Sequence, residues 1–524
     1  MRVSVPGARL SAPLERSAPA FAAAAFALGV LPWWPTVFFA FAYDDRWTVV
    51  RNEALRRPLG ALFRASLSGL GTREIPDVSR PVMVASNWVD LRLWGTWAAG
   101  HHLSSVLVHG LLVVAAAFLA RSFLRALPAL GAAGLFSLAP GHAEAVSAIN
   151  YREDLLSGLG VYAALAVVAW PARGARRLGV ELGAACAFLF ALLAKESAVG
   201  LVPLVALLAL AQAAPGRWLA RRERVLTLLG AVLLAWGHWR WGLALAGDGV
   251  ARAAPATAWE HLLRLGRYLG WSLAAGAGVP VTSPVHGPAP SPATWHALLP
   301  LALLLTVASR WTWRRWPAWR HHRREVAAAG LWLGGALGSC PLLGAANEEA
   351  DRYLVLGSLG LSLLAVQGLS ALGRSHHRVA AAAGAALALA WGGLSARDGW
   401  AWRDERALWT AATQRSPDSP RAWVGLSWVH RGEGDTARAR AALDAALARD
   451  ADYAPAWVSA AYVSLLDGDP DAARRALARA ERLHPQPRSL PGLQRAKACL
   501  ELEPVARRAC ARGESVAAHP GVPP

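Results

Sequence analysis

The chain has 524 residues, 55% of them hydrophobic, with 26 tryptophans and a mean hydropathy of +0.29, which excludes an ordinary soluble enzyme and indicates an integral membrane protein. A formal charge of +19 would suit nucleic acid, but the arginines stand in short clusters between apolar runs and not along one basic face. The charge is therefore topological, and no nucleic-acid partner is expected.

Windows of about 20 apolar residues predict eleven spans, near 21–42, 101–120, 127–143, 155–171, 179–194, 197–214, 225–245, 293–309, 327–345, 353–372 and 378–396. The first ends in Ala40-Phe41-Ala42, a small-x-small pattern like a cleavage site. Its apolar run is too long for a signal peptide and reads as an uncleaved anchor. Basic clusters lie between spans: Arg2, Arg9 and Arg16; Arg121 and Arg125; Arg173, Arg176 and Arg177; and the runs 217–224, 310–324 and 373–378. All share one side if the N-terminal tail, 1–20, is cytoplasmic. The segment 260–281 is apolar enough for a twelfth span, but a crossing there would put 310–324 outside. It is expected as an interfacial or re-entrant helix on the outer face.

This topology assigns 21–398 to a membrane domain and turns the first loop, 43–100, outward. Motifs then collect on the outer helix ends: Tyr43-Asp44-Asp45, Arg80, His102 with His109, His142 and Glu144, Arg152 and Asp154, Lys195-Glu196, and Arg352-Tyr353. Charged groups at helix ends in a bilayer need a partner or a task. Such an array suits either mutual salt bridges or a site that holds an anionic lipid headgroup and removes a proton.

After 397 the apolar runs stop and a 34-residue period appears, pairing Trp423 with Trp457, Ala439 with Ala473, Leu443 with Leu477 and Ala446 with Ala480. That is the tetratricopeptide period. Repeats are expected over 399–487, with capping helices and a disordered tail over 488–524. Such arrays offer a groove to an extended peptide. Of the cysteines, Cys186 and Cys340 lie inside spans as small packing residues. Cys499 and Cys510 would be about 16 Å apart on one continuous helix. A helix break at Glu503-Pro504 would bring them together, so a disulfide is left open. No cysteine or histidine spacing points to a metal.

The ordered set of outer motifs resembles the transmembrane and tetratricopeptide-repeat-containing O-mannosyltransferases and their bacterial relatives, within the GT-C glycosyltransferases. The residues that carry the resemblance are Tyr43-Asp44-Asp45, Ser79-Arg80-Pro81, His102-Leu103 with His109, His142-Ala143-Glu144-Ala145-Val146 with Arg152 and Asp154, Lys195-Glu196, and Asp351-Arg352-Tyr353-Leu354. They cover about 40 to 480. The chain departs from the pattern at Ala139 and Gly357, where the family has His and Pro, and in its shorter repeat array. The resemblance implies an all-α fold: a polytopic GT-C-like bundle of about eleven spans followed by a short tetratricopeptide-repeat solenoid.

It also implies transfer of a sugar, mannose in the family, from a polyprenyl-phosphate donor to Ser or Thr hydroxyls of exported polypeptides that the repeats present. The lipid-linked sugar is a co-substrate, and no cofactor is expected. A polyprenyl tail holds the sugar–phosphate bond at the lipid–water boundary, so the base for the incoming hydroxyl must sit there. Asp44 and Asp45 are that pair in the resemblance, one as base and the other orienting the acceptor or pairing with an arginine, in an inverting single displacement. Arg152, Lys195 and Arg352 are the candidate phosphate ligands. Arg80, His142, Glu144, Asp154, Glu196 and Tyr353 support them. Arginine supplies 52 of 54 basic residues, a bias that suggests a GC-rich bacterium, hence the inner membrane with repeats in the periplasm. The competing reading is a non-catalytic membrane anchor that displays a repeat scaffold for envelope assembly. Transfer to a glycolipid would leave the repeats without a task.

Overall fold

The computed structural model describes residues 17–68, 80–170, 174–212, 214–245, 258–284, 323–339, 350–484, 490 and 492–513. Among the described residues every regular element is a helix. The chain divides into two compact units, one from 1–282, 290–347 and 351–403, the other from 404–524 with the short stretches 283–289 and 348–350.

The first unit opens with α1, Ala18–Val30, whose first turn is capped by the Ser17 side chain accepting the Ala20 N–H at 3.3 Å. Pro32 and Pro35 remove backbone donors, and the helix tightens into a 3-10 stretch over Leu31–Phe38. There follow α2 Leu59–Ser68, α3 Pro81–Trp94, α4 Ala98–Ala120, α5 Ala126–Ser137, α6 His142–Ser147, α7 Arg152–Ala169, α8 Arg177–Ala194, α9 Leu201–Leu210, α10 Pro215–Ala220 and α11 Glu223–Leu245. Then come α12 Ala258–Gly276, α13 Arg323–Ser339, α14 Val355–Gly373 and α15 His377–Ala401.

Among the described residues, five helical stretches are long and apolar enough to cross a membrane: Ala18–Phe38, Ala98–Ala120, Arg177–Ala194, Asp351–Gly373 and His377–Ala401. Two more of the expected spans fall on apolar but shorter helices, Ala126–Ser137 and Glu196–Leu210. The spans expected near 155–171 and 327–345 fall on α7 and α13, which begin with the charged triplets Arg152-Glu153-Asp154 and Arg323-Arg324-Glu325. The expected span 293–309 and the basic tail before residue 17 lie outside the described residues.

Small residues let these helices meet closely, the device expected where lipid and side chain are equally apolar. At the crossing of α1 and α4, a Cβ on Gly29 would lie 2.7 Å from the Gly110 Cα. Where α13 meets α14, a Cβ on Gly360 would lie 2.2 Å from the Trp332 backbone nitrogen. Cys186, expected as a packing residue, is exposed instead. α8 buries Glu181, Ala184, Ala185, Phe188, Ala191 and Leu192, and Cys186 lies off that stripe.

The second unit contains α16 Glu405–Arg415, α17 Pro420–Gly432, α18 Thr436–Arg449, α19 Ala454–Asp467, α20 Pro470–Leu483, α21 Leu493–Leu500 and α22 Pro504–Arg512. The pair α17–α18 recurs as α19–α20, each helix starting 34 residues after its counterpart. Equivalent residues make equivalent bonds. Asp435 and Asp469 cap α18 and α20. Trp423 Nε1 donates to the Pro417 carbonyl (2.8 Å) and Trp457 Nε1 to that of Ala451 (2.9 Å). Arg406 pairs with Glu433, and Arg440 with Asp467. Ala439, Leu443 and Ala446 are buried, as are Ala473, Leu477 and Ala480. Pro504 starts a new helix, and Cys499 and Cys510 form a disulfide, with Cα atoms 5.6 Å apart.

Candidate functional site

Past Phe38 the chain runs irregularly to a tight turn at Tyr43, whose φ of 53° lies in the left-handed region that non-glycine residues seldom occupy. The turn sends the two adjacent carboxylates into different surroundings. Asp45 is buried, its Oδ1 accepting the Asn150 N–H (2.8 Å) and its Oδ2 that of Ala42 (3.3 Å). Asp44 is half-buried, and its carbonyl oxygen accepts the N–H groups of Trp47 and Thr48 and the Thr48 hydroxyl, each at 2.9 Å. Those bonds start the π-helical turn Arg46–Val50. Burial pushes the Asp45 carboxyl up from its ordinary 3.8 to about 7, with the charge of Asp44 adding to the rise and the two N–H donors opposing it.

The same end of the unit is held by neighbouring elements. The Ala40 N–H donates to the Arg403 carbonyl just beyond α15 (2.9 Å), Phe39 meets Trp400 edge-on, and His102 Nε2 approaches the Ala40 carbonyl (3.3 Å).

Beside this turn runs a ladder of alternating charge. Arg80, at the start of α3, donates through Nη1 to Glu153 (2.6 Å) and through Nε and Nη2 to Glu196 (3.2 and 2.7 Å). Lys195 follows α8 in extended backbone (φ −161°), and its Nζ lies 3.0 Å from Glu153 and 2.6 Å from Asp154. Arg352, in the 3-10 turn Asp351–Leu354, approaches Asp154 through Nε (3.5 Å) and pairs through Nη1 with Glu144. The ladder carries the carboxylates Glu144, Asp154, Glu153 and Glu196 against Arg352, Lys195 and Arg80.

Arg152 stands apart from the ladder. It is fully buried and donates to the Ser105 hydroxyl (2.9 Å), the Ser86 hydroxyl (2.8 Å) and the His101 carbonyl (2.7 Å), with Asp90 at 2.5 Å. These bonds pin the start of α7 to α3 and α4. His142 lies deeper, in a chain of hydrogen bonds. His109 Nδ1 is 2.8 Å from the Gly29 carbonyl, which can only accept, so Nδ1 carries the proton there. His109 Nε2 then accepts from His142 Nδ1 (3.0 Å), and His142 Nε2 lies 3.0 Å from the Ser358 hydroxyl. The chain ties α1, α4, α6 and α14 together.

The structure thus brings Arg80, Glu144, Asp154, Lys195, Glu196, Arg352 and Tyr353 into one connected group. It places Arg152 and His142 in separate buried networks. Three further residues emerge that the sequence reading did not single out. Glu153 bridges Arg80 and Lys195, a role legible only as part of the charged triplet that opens α7. Asp90 pairs with Arg152 from another helix. Tyr151 lies under the Arg352 guanidinium, 3.8 Å from ring centroid to carbon. Burial keeps the Tyr151 hydroxyl protonated well past its ordinary value, with Arg352 opposing and Tyr43, Asp44 and Glu144 adding to the effect. Among the described residues no group of three or more His, Cys, Asp or Glu side chains is arranged to hold a metal ion.

Against known proteins, the chain is 31% identical over 155 residues to Protein O-mannosyl-transferase Tmtc1 of Drosophila melanogaster. The match spans 28% of this chain and 18% of that protein. No protein-family model and no solved structure matches the chain.

Proposed function

We propose that the chain is a membrane glycosyltransferase that moves mannose from a polyprenyl-phosphate carrier to Ser or Thr hydroxyls of exported polypeptides. The observation that carries this reading is the Tyr43-Asp44-Asp45 turn, which ends the first apolar helix by burying one carboxylate and leaving the next half-exposed. The local similarity to Protein O-mannosyl-transferase Tmtc1 supports the same class of reaction.

In this reading Asp44 is the base. It takes the proton of the acceptor hydroxyl while the hydroxyl oxygen bonds to the anomeric carbon from the face opposite the phosphate. The bond from that carbon to the phosphate oxygen breaks with inversion, and the polyprenyl phosphate leaves carrying the electron pair. Asp45 holds the turn. Lys195 and Arg352 face the leaving phosphate, and Arg152, whose donors are spent on α3 and α4, positions α7 and its carboxylates. The finer architecture belongs to the same proposal: about eleven crossings, with the 34-residue helix pairs acting as tetratricopeptide repeats that hold an extended acceptor in the bacterial periplasm.

The test compares periplasmic glycopeptides from cells making equal amounts of wild-type chain or an Asp44→Asn/Asp45→Asn double variant. Hexose on Ser or Thr is expected to disappear with the variant. Matching glycopeptide profiles, with an envelope defect that appears only on deletion of 399–524, would establish the repeat-scaffold reading in its place.

A further inference from the structure

Tyr151 closes the 3-10 turn Ile149–Tyr151, one residue before α7. It is 8% exposed, and its ring meets Trp402 edge-on at 5.9 Å, which keeps it from turning away. The Arg352 guanidinium stacks 3.8 Å above that ring and 4.9 Å from the ring of Tyr353. Glu144 draws on Arg352 twice, through Nη1 and through the backbone N–H (3.1 Å). Arg352 Nε is buried, 3.5 Å from Asp154 without a hydrogen bond to it, and Nη2 lies 3.4 Å from the Tyr353 hydroxyl. A guanidinium stacked on aromatic faces has only its edge left for donation, and the edge is what binds two oxygens of a phosphate at once.

The Arg352 side chain is 12% exposed, so part of the group still reaches solvent although the stacked face is covered. Each cation of the ladder is already paired with a carboxylate. An entering anion must therefore displace a carboxylate from Arg352, and Glu144, which touches no other cation in the ladder, is the one to go.

We infer that Tyr151 is the positioning residue of a phosphate clamp: its ring holds the Arg352 guanidinium flat while the fork passes from Glu144 to the phosphate of a lipid-linked sugar. This rests on the transferase reading for the sugar, but the clamp itself asks only for a phosphate ester at the lipid–water boundary. Tyr151 touches the ligand through Arg352 and takes no part in the chemistry. Its effect belongs to donor binding.

The test titrates full-length protein in lipid nanodiscs with farnesyl phosphate, and separately assays transfer from polyprenyl-phosphate mannose to a Ser/Thr peptide. Loss of a desolvated stack corresponds to about a tenfold loss of affinity, expected for Tyr151→Leu. Tyr151→Phe, which keeps the ring, stays within about twofold of wild type. In an Arg352→Ala background Tyr151→Leu has no further effect. Glu144→Gln, which removes the competing carboxylate and keeps the stack, binds the probe more tightly, and should Tyr151→Leu fail to fold, Tyr151→Met, which keeps bulk and removes the ring face, takes its place with the same expected loss. In the transfer assay Tyr151→Leu raises the donor KM and leaves kcat nearly unchanged.

The inference is overturned if wild type does not bind farnesyl phosphate, if Phe loses as much as Leu, if the Leu loss persists without Arg352, or if Glu144→Gln weakens binding. Binding with the expected pattern but no mannose transfer keeps the clamp and removes the transferase.

Discussion

At the scale of single residues, Asp44 and Asp45 stand in different surroundings, one half-buried and the other buried. Adjacent side chains on a regular element cannot point the same way. Which one turns inward depends on the N–H groups of Ala42 and Asn150, and the second of these is contributed by a distant part of the chain. The division has a pH signature. The folded chain keeps the Asp45 proton up to about pH 7, whereas the unfolded chain releases it near 3.8. Folding is therefore favoured most below about pH 4 and less as pH rises to about 7. Between pH 5 and pH 8 the thermal midpoint of wild type in detergent should fall relative to that of Asp45→Asn. Parallel pH profiles for the two proteins would show that Asp45 does not keep its proton. Transfer separates the two residues differently: Asp44→Asn should lower kcat by about 10²–10⁴, the range for loss of a general base, and Asp45→Asn by less. Tyr151 was illegible in the sequence because its stack depends on Arg352, far along the chain. A tyrosine in "INYRED" carries no mark of that.

At the scale of elements, periodicity told most where the period was regular. The 34-residue recurrence of Trp, Ala and Leu anticipated the paired helices, because each of those residues occupies the same packing position in its pair. The capping aspartates Asp435 and Asp469 follow the same period, each accepting a backbone N–H from its helix's first turn (2.9 and 2.8 Å). Hydropathy told less about the membrane helices. A window centred on 155–171 registers the apolar body of α7 but not the charged triplet that begins the same helix and supplies Glu153 and Asp154 to the ladder. The caps carry a prediction. Replacing Asp435 or Asp469 by alanine should cost its helix about 1 kcal/mol, whereas Arg440→Ala, which removes an exposed ion pair with Asp467, should cost less than about 1 kcal/mol. Hydrogen exchange on the full chain reads this directly, as roughly fivefold faster exchange across α18 or α20 for the cap variants. Equal effects from Arg440→Ala would mean that the exposed ion pair holds the repeat as firmly as the caps do.

At the scale of the whole molecule, chain direction links the two units. The Ala40 N–H bonds to the Arg403 carbonyl, so within the first unit the first apolar stretch and α15 end close together, next to the Tyr43-Asp44-Asp45 turn. The chain passes from there into the second unit, where Cys499 and Cys510 are bonded and fully buried. Disulfides of this kind persist in oxidising compartments and are scarce in reducing cytosol. A thiol count therefore tests the proposed placement of the second unit in an oxidising compartment without any assay of catalysis. The chain has four cysteines, of which Cys340 lies outside the described residues. Cells quenched in acid, denatured and treated with a mass-tagging alkylator should give two tags per chain before reduction and four after. Four tags before reduction would place the second unit in a reducing compartment, against the proposed periplasmic placement of the repeats. The bond also bears on the fold, because it joins two helices of eight and nine residues that are too short to persist alone. Cys499→Ser should accordingly speed hydrogen exchange across α21 and α22 and leave the membrane helices unchanged.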